Sequence, residues 1–116
     1  MENTNLTKES LENIIKSLNI PYNEGIQNDL YNNANPRLVF WDFVWEPLTA
    51  SGTRYNMLVT YQISFFNYKT PRNSSELKTL IDNLSAYGVN PVINHEYVEK
   101  DKQWHSYFSI DVLENV

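Results

Sequence analysis

The sequence predicts an α+β domain: an antiparallel sheet packed against two helices, in the order helix, hairpin, helix, hairpin, with one long β-hairpin. Three observations predict it. Two segments carry apolar residues at helical spacing, and four others carry strand-like apolar patterns. Among 116 residues there are only 3 Gly and 5 Pro, which leaves most of the chain free to enter regular elements. A hydrophobic fraction of 41% is enough for one core. No repeat, low-complexity run or composition break divides the chain, so residues 1–116 read as one domain.

Leu11, Ile14, Ile15 and Leu18 fall on one helical face. Thr7 is positioned to cap that helix, with Leu6 and Leu11 as a hydrophobic staple and Pro21 as its stop. Residues 22–36 are polar and Asn-rich and predict a long connection, with Ile26 and Leu30 at weak helical spacing. Leu38–Glu46 predicts a strand, with Val39, Trp41, Phe43 and Trp45 on one face and Leu38, Phe40, Asp42, Val44 and Glu46 on the other; Pro47 ends it. A turn around Gly52 leads to a second strand over Arg54–Lys69, where Tyr55, Met57, Val59, Tyr61, Ile63 and Phe65 alternate with Arg54, Asn56, Leu58, Thr60, Gln62 and Ser64. Sixteen extended residues would span about 50 Å, so this strand is expected to bend or to project as a hairpin.

The second helix carries the stripe Leu77, Leu80, Ile81 and Leu84. Asn73 with Glu76 predicts its capping box and Gly88 its left-handed end. Val92–Val98 and Trp104–Leu113 then predict a closing hairpin around Glu99–Gln103.

The chemistry the sequence excludes narrows the function. There is no cysteine, which removes disulfides, thiolate catalysis and Cys-based zinc sites and fits a reducing compartment. The net charge is −5, and the 9 basic residues form no run, so neither a nucleic-acid footprint nor attraction to an anionic membrane is expected. Three scattered glycines cannot build a nucleotide loop. The N-terminus has no signal-peptide pattern, and no apolar run reaches the roughly 20 residues of a membrane helix.

His95 and His105 would become diagonal neighbours beside Glu99 if the last hairpin turned about Asp101, placing Val98 opposite Trp104. Two histidines without further ligands do not make a metal centre. The scattered carboxylates near the C-terminus form no defined acid–base pair. No catalytic, cofactor-binding or metal residue is therefore assigned, and the chain is expected not to be an enzyme.

The unusual feature is aromatic: 3 Trp, 8 Tyr and 5 Phe. The first strand is apolar on both faces, and two helices cover one sheet face better than two. Phe66 and Tyr68 also lie on the polar face of their strand. Trp41, Trp45, Phe66 and Tyr68 are accordingly the candidate interface residues, and open sheet edges offer a second mode of contact.

The capped helix, the Asn/Pro loop, the pair 36–41 and 55–63, the helix start at Asn73–Leu77 and the ending at Trp104–Val112 together resemble the tail terminator and tail-to-head joining proteins of long-tailed bacteriophages. The resemblance runs along nearly the whole chain as an order of elements, without a diagnostic motif. It implies a structural virion protein of the neck, assembled in the host cytoplasm. It also implies a homo-oligomeric ring, a hexamer, that ends the tail tube and meets the head-completion (stopper) protein. DNA would pass through the ring without sequence-specific binding; net negative charge suits such a lumen. The residues themselves leave two other classes open. One is a ligand-binding or regulatory α+β module with a pocket between sheet and helices. The other is a small enzyme or metal protein using His95, His105 and nearby carboxylates.

Overall fold

The computed structural model describes residues 5–25, 34–49 and 54–116. They form a mixed α+β fold of two helices and a five-stranded sheet. The elements are α1 (Lys8–Ser17), β1 (Tyr22–Glu24), β2 (Arg37–Pro47), β3 (Met57–Asn67), a short 3₁₀ turn (Pro71–Asn73), α2 (Ser75–Ser85), β4 (Asn94–Val98) and β5 (Gln103–Glu114). The sheet order is β1-β2-β3-β5-β4. All neighbours are antiparallel except β1 and β2, which run parallel.

Helix α1 starts as its sequence dictates. Thr7 Oγ1 accepts a hydrogen bond from the Ser10 amide at 3.1 Å, and Leu6 and Leu11 are fully buried. Asn19, at φ 55°, turns the chain out of the helix ahead of Pro21. The cap of α2 falls one residue later than expected. Ser74, not Asn73, accepts from the Leu77 amide, and Asn67 at the end of β3 donates to the same hydroxyl at 3.0 Å. Asn73 is taken up by the preceding 3₁₀ turn. Gly88, at φ 78°, closes α2: its amide donates to the Ser85 carbonyl, and the Val89 amide donates to that of Leu84.

Both helices pack on one face of the sheet. Leu11, Ile14, Ile15 and Leu18 of the α1 segment meet Leu77, Leu80 and Leu84 of α2 over Leu38, Phe40, Val59, Tyr61, Ile63, Phe65, Phe108, Ile110 and Val112. Ile81 borders this core and is half-buried.

Four strand expectations are corrected. Tyr22–Glu24 pairs with Leu38–Phe40, although three polar or aromatic residues carry no strand periodicity. Ile26, Leu30 and the Gly52 turn lie outside the described residues. The second strand is Met57–Asn67, not 54–69, because it needs partners and β5 supplies them only from Trp104 to Glu114. The last hairpin pairs Val98 with Gln103, and hence His95 with Ser106 and Glu96 with His105. That is one residue away from the expected register, and a one-residue slip exchanges the faces. Finally, β2 carries a bulge between Asp42 and Val44, so its two faces exchange partway along.

Candidate functional site: an exposed aromatic arm

An 11-residue strand spans about 36 Å, whereas helices of 10 and 11 residues span about 15–17 Å. The helices therefore cannot cover the whole sheet. The shortfall falls on β2, where β1 ends opposite Phe40. Up to Phe40 the strand is buried; from Asp42 to Pro47 every residue is exposed.

The bulge decides what this arm displays. Before it, Trp41 sits opposite Gln62 on the face away from the helices. After it, Val44 opposite Thr60 takes that face, and Trp45 opposite Val59 moves to the helix side. Trp41, Phe43 and Trp45 thus do not form the single face that unbroken alternation predicts. The arm presents apolar groups in several directions at once. Phe43 is 54% exposed and Trp45 55%. The Trp45 indole donates to Asp42 Oδ2 at 2.6 Å, which fixes the ring without burying it.

The other candidates lie elsewhere. Trp41 is half-buried. Phe66 pairs with Arg37 at the opposite end of the sheet, and Tyr68, 62% exposed, follows just past β3. The four expected interface residues therefore do not form one patch. Trp41 and Trp45 belong to the arm, and Phe66 and Tyr68 to the far end. Phe43 and Val44 complete the arm. Their exposure had no signature in the alternation pattern, because it depends on where β1 stops.

Phe66 is the centre of a four-strand ladder on the helix-free face. The Arg37 guanidinium lies 4.0 Å from its ring centre, the His105 imidazole stacks on it at 4.5 Å and 6°, and His105 Nδ1 is 2.9 Å from Glu96 Oε1. Burial pulls the Arg37 guanidinium below its ordinary range, and the charge of Asp101 opposes that shift. Arg37 Nε and Nη1 and His105 Nε2 make no hydrogen bond. His95 bonds Ser106 on the opposite face, so the pair of histidines considered for a metal is separated by the sheet itself. Among the described residues no three His, Cys, Asp or Glu side chains gather as a metal site, and no helix is long and apolar enough to cross a membrane.

Beneath the helices, Lys8 reaches Glu24 Oε2 at 2.6 Å and lies over the ring of Tyr61, whose hydroxyl donates to Glu114 at 2.6 Å. Burial works against the Lys8 charge, yet Glu24 and Tyr61 together hold its ammonium above the ordinary lysine range. Burial, reinforced by Glu114, raises the Tyr61 phenol. A phenol held protonated is unsuited to act as a base; this group of side chains ties α1 to β1, β3 and β5.

The chain matches no family model, and no curated protein matches it.

Proposed function

We propose that this protein is a structural subunit that works by assembling with copies of itself and with other proteins, as a ring at the end of a phage tail. The observation that carries the assembly reading is the arm, Asp42–Pro47, with Phe43, Val44 and Trp45 exposed at the edge of the sheet. Exposed apolar groups on a strand with one free edge are a liability unless they are covered in use. The phage tail assignment rests on the resemblance in element order, with its two hairpins and its long β-hairpin. Its partners in that setting are the tail tube protein below and the head-completion protein above, with DNA passing through the centre.

Two measurements test the two parts. Light scattering across a concentration series, with negative-stain images of any large species, is expected to show a closed oligomer, six subunits if the resemblance holds. Incubation with unterminated tail tubes is expected to cap their ends. A monomer at every concentration that also leaves the tubes uncapped would sink the assignment.

A further inference from the structure

Resting on that assembly reading, we infer which edges meet: the arm of β2 in one copy takes the outer edge of β4 from a second copy, joining the sheets head to tail.

Among the described residues the sheet is free along the outer sides of β1 and β4 and where a longer strand outruns its neighbour, on β2 past Phe40 and on β5 past Tyr107 up to the bridge of Leu113 with Thr7; two of these stretches fit each other. One is β2 from Trp41 to Pro47, because β1 pairs only as far as Phe40. The other is the outer side of β4, Asn94–Val98, where Asn94 to Tyr97 are all exposed. Their polarity matches. β4 is antiparallel to β5, β5 to β3 and β3 to β2, so β4 and β2 run in opposite directions within one subunit. Rotating a copy about an axis roughly along the strands brings the two edges together as an antiparallel pair, and the helices of both copies stay on the same side. The lengths match as well, five residues against seven. Tyr97, 51% exposed, gives Phe43 and Trp45 an aromatic neighbour.

The competing use of the arm is a two-fold pairing with the arm of another copy. Centring that pairing on Val44 uses the whole free edge and sets Trp41 against Pro47, Phe43 against Trp45 and Asp42 against Glu46. The last pair places like charges directly opposite each other twice, which is unfavourable. Sliding to avoid this either shortens the pairing or drives the second arm into β1. The β4 edge has no such obstacle: with Glu96, its one acidic residue, set opposite Val44, Asn94 meets Glu46 and Val98 meets Asp42, so no two carboxylates face each other directly.

Head-to-tail contact of two different edges yields closed rings or open filaments. The stagger selects between them. β4 lies level with Arg37 through the row Glu96–His105–Phe66–Arg37, and Val44 lies opposite Thr60, six residues further along β3. The shift is about 20 Å along the strands, against about 19 Å for the four strands β2-β3-β5-β4 that one subunit adds to the ring, since β1 lies outside the contact. Closure therefore tilts the strands roughly 45° from the ring axis, at the upper end of the range of closed β-barrels.

A chain without cysteine makes the test direct. Val44→Cys and Glu96→Cys alter exposed positions that lie on the same side of the sheet, away from the helices. When the two variants are mixed and treated with a short bismaleimide, a covalent mixed dimer is expected, and neither variant alone should cross-link. The double variant should give a ladder of covalent oligomers ending at the ring size. Cross-linking of Val44→Cys alone would establish the two-fold pairing and overturn this inference. Oligomers by light scattering without a mixed cross-link would overturn it too, while leaving assembly intact. Monomers that never cross-link would remove both.

Discussion

Lys8 and Tyr61 show how a few polar groups fasten a small core. The Tyr61 ring is fully buried, while its hydroxyl meets Glu114 and its face meets the Lys8 ammonium. Both groups have pKa values raised above the ordinary 10.0 of tyrosine and 10.5 of lysine. A raised pKa means that the folded state holds its proton more tightly than the unfolded state does. The stabilisation is then complete below about pH 10 and is lost as pH rises through the folded values. The melting temperature should therefore fall above pH 10. Tyr61→Phe should lower it at neutral pH, since Glu114 loses its donor, and should make the alkaline fall shallower. Identical slopes for the two proteins would count against this assignment. Core positions make the complementary case. Leu80 is fully buried, so Leu80→Ala should cost about 2–4 kcal/mol by denaturant titration. Ile81, only half-buried, should cost less than Leu80, although both lie on the same apolar stripe.

Helix α2 stands on its two ends. Ser74 serves the helix as its cap and β3 as the acceptor of the buried Asn67 side chain. Ser74→Ala should therefore exceed the roughly 1 kcal/mol of a lost cap, because Asn67 also loses a partner; a loss well under that would show that Asn67 re-pairs. Gly88 has open space where a Cβ would stand, so Gly88→Ala should cost about 1 kcal/mol through its left-handed backbone alone. Strand β5 is held at its far end by the two residues that follow it. Asn56 exchanges three hydrogen bonds with Asn115 and Val116, beside the point where Met57 pairs with Pro47 at the outer end of the arm.

At the scale of the whole molecule, mismatched lengths produce the arm: short helices against long strands, and a three-residue β1 beside an 11-residue β2. Phe43→Ser and Trp45→Ser should change stability by about 0.5 kcal/mol or less, as exposed positions do, while weakening assembly in light scattering. Unfolding of both variants would place these residues in a core and the interface elsewhere. Phe66→Ala should behave differently. Its ring is held between Arg37 and His105, so the change should lower stability before it affects any contact between subunits.

The sequence by itself determined what depends on neighbours in the chain. The α1 and α2 faces, the Thr7 cap, the left-handed Gly88 and the inward set from Val59 to Phe65 all follow from periods and caps that span a few residues. It also marked Trp41 and Trp45 as unusual, because a strand apolar on both faces is visible in its own letters. Only the tertiary structure decided what depends on partners distant in sequence. These are the pairing of Tyr22–Glu24, the bulge that turns Trp45 across the sheet, and the register that separates His95 from His105. Strand pairing has no local period to announce it, and a shift of one residue exchanges the two faces of a sheet.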